Sequence, residues 1–122
     1  PAQTIVIPVL PSPIDLRAAE HFLAELVKHR NMLSRKVKVA TVANRVREDT
    51  VIAARLEQYL EKLTLPGGNR IPFMTMLRAS QNYILAAARG MTIFELPPYK
   101  TTYDREQWRP LLSWLASDRS IA

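Results

Sequence analysis

The chain has 122 residues, of which 48% are hydrophobic and 23% charged, and its net charge is +6. This balance is typical of one globular domain with a real core, and it excludes a chain that is disordered throughout. Cysteine is absent, which excludes disulfides and thiolate metal sites. No apolar run approaches the ~18 residues of a membrane span and no signal peptide is visible, so we expect no membrane partner and a cytoplasmic location.

The first half of the chain predicts two strands, each followed by a helix. Residues 4–10 are apolar and β-branched, which is typical of a strand buried on both faces. Ser12 is a good N-cap for the helix that follows. Residues 37–43 predict a second buried strand, and Asp49 or Thr50 is expected to cap the next helix.

The second half continues the same alternation. Residues 65–69 (LPGGN) predict a turn, and residues 71–77 predict a third apolar strand. Ser80 is expected to cap a third helix. Residues 91–99 (MTIFELPPY) predict an extended segment that the two prolines stop, and a last helix is expected to begin at Asp104.

This order predicts an α/β fold, with a three-stranded, mostly parallel sheet and flanking helices. Because three strands make a narrow sheet, we expect residues 1–122 to be a single partial domain, half of a larger doubly wound fold. In open α/β sheets, ligands bind beyond the carboxyl ends of the strands. Three segments are predicted to meet there: residues 10–12, the pair Asn44 and Arg45, and the pair Leu77 and Arg78.

Asn44 comes at the end of the second predicted strand, in the segment VATVANRVRED. A side-chain amide has one acceptor and two donors, which match the donor and acceptor edge of a purine. The alternative is that Asn44 bonds the backbone of the residues that follow it, as asparagine does in many loops. The position allows both interpretations.

Basic residues are concentrated in the stretch 28–47, which contains no acidic residue. They are Lys28, Arg30, Arg35, Lys36, Lys38, Arg45 and Arg47. Such a cluster can neutralise phosphates, or it can be a solvated surface. Because a strand separates the two ends of the cluster, we expect different roles for them: Arg45 and Arg47 are the candidates for nucleic-acid contact, and Arg35, Lys36 and Lys38 are expected to be solubilising.

Four segments together resemble the C-terminal half of a ParA/MinD-type ATPase: IVIPVLPSPIDLRAA, VATVANRVRED, IPFMTMLRASQNYILAAARGMTIFELPP and DREQWRPLLSWL. These deviant-Walker P-loop ATPases partition plasmids and chromosomes or position cellular cargo. The resemblance implies that Asn44, together with Arg45, contacts adenine, and that Pro72 and Phe73 line the base pocket. For the intact protein it implies ATP and Mg²⁺ as cofactors, a homodimer, non-specific DNA, and a ParB-like or cargo adaptor protein as partners.

The chain departs from that family in one large respect. Its 122 residues contain no GxxxxGK[ST] sequence, whose backbone N–H groups and lysine hold the phosphates of a P-loop site. We therefore expect no catalytic residue, no bound cofactor and no hydrolysis from these residues alone. His21, Glu25 and His29 share a helix face, but a solvated ion pair is the expected role there and no metal site is predicted.

Two other functions remain open on the sequence. The chain could be the nucleotide-binding half of an enzyme similar to cobyrinic acid a,c-diamide synthase, since the resemblance extends to that superfamily. It could also be a stand-alone basic α/β module that binds nucleic acid or a partner protein without nucleotide.

Overall fold

The computed structural model describes residues 3–28, 37–64 and 70–117. Strands and helices alternate as predicted, and a 3₁₀ turn and a last helix follow. The elements are β1 Gln3–Val9, α1 Pro13–Lys28, β2 Val37–Val46, α2 Val51–Lys62, β3 Phe73–Arg78, α3 Gln81–Ala88, the 3₁₀ turn Ile93–Glu95 and α4 Pro98–Leu115. The predicted turn at 65–69 lies outside the described residues.

The three described strands form one parallel sheet in the order β1-β2-β3. β1 and β2 pair without interruption, from Gln3 opposite Val37 to Val9 opposite Ala43. Right-handed crossovers that step across the sheet in one direction place their helices on the same face, and α1 and α2 do share one core. The α/β class and the flanked parallel sheet are confirmed, and they are consistent with half of a P-loop-like fold.

The face beneath α1 and α2 holds the larger core. Alternate side chains of β1 point into it, because successive residues of a strand face opposite sides. Its buried members are Ile7, Val9, Ala19, Leu23, Ala43, Val46, Ala53, Leu56, Leu60 and Ile71. The two helices also contact each other, because Tyr59 of α2 forms a hydrogen bond with Glu20 of α1. Burial and this bond raise the pKa of Tyr59 to about 12.

The opposite face is covered by α4. Val42 and Leu77 of the sheet are buried against Leu111, and Trp108 packs at the same place. Pro8 of β1 faces this side and stays exposed. The cover over β1 is therefore incomplete, and a cavity opens between the sheet and α4.

Helix starts follow the predicted caps in α2 and α3. Thr50 accepts a hydrogen bond from the backbone of Ala53 at 3.1 Å, and Ser80 accepts one from Asn82 at 3.1 Å. The prediction for the segment before α4 is wrong: it is not extended to its end but forms a 3₁₀ turn. α4 begins at Pro98 and not at Asp104. Proline suits the first helical position because its φ is already helical and no N–H is needed there.

In the part of the chain that the structure describes, no helix is both long enough and apolar enough to pass through a membrane.

Candidate functional site

β2 continues through Asn44 and Arg45, and these two residues form a bulge in the strand. Ala43 lies opposite Met76 and Val46 lies opposite Arg78, so two residues of β2, Asn44 and Arg45, face the single residue between them on β3. Arg45 has a φ of 53°, in the left-handed region that a side chain disfavours. The bulge shifts the alternation by one residue, which lets Val46 return to the core beneath α1 and α2.

The Asn44 side chain bonds its own backbone neighbour. Its Oδ1 accepts a hydrogen bond from the backbone N–H of Arg45 at 2.9 Å. This is the local bond that the sequence left open as an alternative to base contact, and it stabilises the bulge. The bond uses the amide oxygen, whereas the two N–H donors of the same amide are not part of it. The side chain is half-buried at the edge of the cavity.

The cavity has a volume of about 950 Å³ and two unlike regions. The sheet and α4 supply an apolar floor of Val6, Pro8, Val42, Leu77, Trp108, Leu111 and Leu115. The strand ends, the loops after them and α3 supply the rest of its lining, with Asn44, Arg45, Arg47, Arg78, Ala79, Ser80, Gln81, Tyr83 and Ile84. A flat apolar ring with polar edges fits such a combination.

The predicted site residues separate into two groups. Asn44 and Arg45 lie at the cavity together with Arg47 and Arg78. Residues 10–12 are not among its lining residues.

Pro72 and Phe73 lie at the amino end of β3, level with the middle of β2. β3 starts at Phe73, opposite Thr41, and parallel strands start at the same end. The Pro72 carbonyl accepts from the backbone of Thr41 at 2.9 Å, and Phe73 packs against the core beneath α1 and α2. The structure therefore does not bring them together with Asn44. The segment that follows β3, Ala79–Gln81, borders the cavity in their place.

Sequence reasoning missed a buried acid beside this cavity. Asp104 of α4 is fully buried, and its carboxylate accepts four hydrogen bonds. The donors are Arg78 Nε at 2.7 Å, Arg78 Nη2 at 3.3 Å, Ser80 Oγ at 2.9 Å and Asn82 Nδ2 at 2.8 Å. A signal did exist, because Asp104 shares its helical spacing with Trp108, Leu111 and Leu115 and so belongs to the inward stripe of α4.

The hydrogen bonds decide the charge state of Asp104. Burial alone raises the pKa of this carboxyl, but the bonds from Arg78, Asn82 and Ser80 outweigh burial and hold the pKa below its ordinary 3.8. The bond to Asp104 likewise raises the pKa of Arg78. Both groups are thus charged at neutral pH and form a bidentate ion pair.

Glu48, in the loop after β2, joins the same group of side chains. Its Oε2 accepts from the Tyr103 hydroxyl and from Gln107 Nε2 at 3.3 Å. Gln107 Oε1 in turn accepts from the backbone N–H of Arg78 at 2.9 Å, and the Arg78 guanidinium lies 4.4 Å from the centre of the Tyr103 ring. α4 is therefore bonded to the loops that follow both β2 and β3.

In the basic stretch, the structure contradicts the expected role of one residue, Lys38. Arg45 and Arg47 are exposed at the carboxyl end of the sheet, beside the cavity. Lys38 is not solubilising: it is 4% exposed, and its Nζ donates to the carbonyls of Trp114 at 3.0 Å and Ser117 at 2.6 Å. It thereby binds carbonyls at the C-terminal end of α4, where a cation is favourable. Arg35 and Lys36 lie outside the described residues.

Among curated proteins, the chain is similar to Maintenance of carboxysome distribution protein A of Halothiobacillus neapolitanus (strain ATCC 23641 / c2), with 29% identity over 92 residues. The matched region is 75% of this chain and 40% of that protein, so the chain spans less than half the length of its relative. No family model matches the chain, and no solved structure matches it. The similarity supports the ParA-like relationship to which the sequence segments point.

Proposed function

We propose that this chain is the C-terminal part of a ParA-like partitioning or positioning ATPase, in which it supplies the edge that binds adenine. The observation that carries the proposal is the bulge at Asn44 and Arg45, which sets an amide at the rim of an apolar cavity at the carboxyl end of a parallel sheet. Ligands of open α/β sheets bind at that end. A relative named for carboxysome distribution supports the positioning role.

The cavity has the chemistry of a base pocket. With its Oδ1 held by the Arg45 backbone, Asn44 would present N–H donors to a ring nitrogen of adenine. The apolar floor of the cavity would contact the ring face. The 122 residues contain no P-loop sequence to hold the phosphates. In this proposal ATP and Mg²⁺ are therefore cofactors of the intact protein.

The partners in this proposal are a second copy of the protein, non-specific DNA, and a ParB-like or cargo adaptor protein. Arg45 and Arg47 are the candidate DNA contacts, because both are exposed beside the cavity, where a bound nucleotide could affect them. The cargo would be a large cellular body, by analogy with the carboxysome in the relative's name.

Nucleotide affinity of the full-length protein tests the base contact. Asn44→Ala should weaken ATP and ADP by the same factor, since both carry the base, and the loss of one base contact costs ~1–3 kcal/mol. Turnover at saturating ATP should fall much less. Gln58→Ala is a matched control, because Gln58 is another amide but is exposed on α2. Unchanged ATP and ADP affinity in Asn44→Ala would remove Asn44 from the pocket.

DNA binding across a salt series tests the basic residues. With ATP present, Arg47→Glu should weaken non-specific binding and flatten its salt dependence, because each lost phosphate contact lowers the slope by about one. Arg35→Glu should change both much less. The opposite ranking would place the DNA face at the other end of the sheet.

A further inference from the structure

Asp104 connects α4 to a short part of the chain that borders the cavity. Its four hydrogen bonds come from Arg78 at the end of β3, Ser80 in the turn, and Asn82 in the first turn of α3. Ser80 is also the N-cap of α3, with its Oγ accepting from the Asn82 backbone. Ala79 and Ser80 form the β3–α3 turn. One buried carboxylate thus bonds a side chain before this turn, one within it and one after it.

Gln107, one helical turn after residue 104 within α4, adds a second connection. It accepts from the Arg78 backbone through Oε1 and donates to Glu48 through Nε2. Glu48 belongs to the loop that follows the Asn44–Arg45 bulge. Hydrogen bonds to α4 therefore fix the positions of both cavity-lining loops. Neither Asp104 nor Gln107 itself lines the cavity.

The contacts explain why a charged group is buried here. A buried carboxylate is costly unless it is paired and its lone pairs are satisfied. Asp104 meets both conditions, and in the described residues no buried side-chain oxygen or nitrogen lacks a partner. An apolar side chain at 104 would fill the space but would leave Arg78, Ser80 and Asn82 without a common acceptor.

We propose that Asp104 is a positioning residue for the nucleotide site: through Arg78, Ser80 and Asn82 it holds the β3–α3 turn against the cavity, and Gln107 aligns that turn with the loop of Glu48. The proposal rests on the proposed function for its ligand. The geometry of the turn can be measured without nucleotide, which separates the two.

The first test is amide hydrogen exchange of the full-length protein without ligand. Asp104→Asn keeps the size of the side chain but removes its charge, and it should speed exchange at residues 78–82 while leaving β1 and α2 unchanged. Gln107→Leu should act on the same segment, and it serves as the test if Asp104→Asn does not fold. Glu106→Gln, an exposed acid on the same helix, should leave exchange unchanged.

The second test is nucleotide affinity of the same variants. ATP and ADP should both weaken roughly 2- to 30-fold in Asp104→Asn, the range for residues that act on a site from outside it. Glu106→Gln should bind as wild type does.

The outcomes separate the two proposals. Faster exchange at residues 78–82 together with weaker binding supports the positioning role. Unchanged exchange at 78–82, or exchange raised equally in every element, overturns it. If exchange changes at residues 78–82 but Asn44→Ala leaves nucleotide affinity unaltered, the base-binding proposal fails. The conclusion that Asp104 fixes the position of the turn is then still supported.

Discussion

α4 carries one buried charge and binds another, and the two charges are satisfied in different ways. Near the carboxyl end of the sheet, Asp104 bonds three side chains from β3, the turn and α3. At the amino end of the sheet, Lys38 donates to the backbone carbonyls of Trp114 and Ser117 at the C-terminal end of α4. Its Nζ lies 4.8 Å from the centre of the Trp114 ring. The lysine fixes the C-terminal end of α4 to one strand, whereas the aspartate joins α4 to β3, α3 and the turn between them. The lysine contact thus holds a helix against the sheet, whereas the aspartate also fixes the position of a turn that lines the cavity.

The largest expected effect is at Asp104. Asp104→Ala should lower the free energy of unfolding by about 3 kcal/mol, the low end of the range for breaking a buried ion pair. The low end applies because the Arg78 side chain is 32% exposed and water can solvate it. Urea unfolding of the full-length protein measures this. Glu106→Ala should stay within about 0.5 kcal/mol of wild type, and a loss that small for Asp104→Ala would mean that the ion pair contributes nothing.

A smaller effect is expected at the C-terminal end of α4. Lys38→Met should lower the free energy of unfolding by about 1–3 kcal/mol, because the Trp114 and Ser117 carbonyls lose their shared donor. Nucleotide affinity should not change, in contrast to the Asp104 variants. Arg55→Met, at an exposed position of α2, is the control. An unfolding curve for Lys38→Met equal to that of the control would return Lys38 to a solubilising role.

The smallest effect, and the one of opposite sign, is expected at the bulge. Arg45→Gly should raise the free energy of unfolding by about 0.5–1 kcal/mol, since a left-handed φ costs ~1–2 kcal/mol and the greater freedom of unfolded glycine offsets part of the gain. Arg45→Ala should bring no such gain, because alanine keeps the Cβ. Thermal unfolding of both variants checks the difference; equal stabilities would show that the left-handed backbone of Arg45 carries no cost.

Local signals explain how much of the fold was predictable. Continuous apolar runs marked the strands, and Thr50 and Ser80 marked helix starts, because capping needs only residues two or three positions away. The bulge was not predictable, since it depends on the pairing between Ala43–Val46 and β3. The start of α4 at Pro98 differs from the prediction, because the second of two consecutive prolines begins the helix and does not only end the segment before it.

The site was predictable only in part, for a related reason. Asn44 and Arg45 follow a strand, so their location at the carboxyl end of the sheet could be inferred from strand direction alone. The resemblance implies that Pro72 lines the base pocket, but Pro72 directly precedes β3, so strand direction places it at the amino end of that strand. Asp104 bonds residues 22 to 26 positions away, and no local pattern reports such partners.

The most direct test of the central claim is photoaffinity labelling of the full-length protein with 8-azido-ATP, with the labelled residue located by peptide fragmentation. We expect labelling within residues 44–50 or 77–84, the two loops at the carboxyl end of the sheet with their flanking residues, and its loss when unlabelled ATP is added. Labelling confined to the start of β3 around Pro72 and Phe73, or labelling at the loops that unlabelled ATP does not displace, would contradict an adenine site at the Asn44–Arg45 bulge.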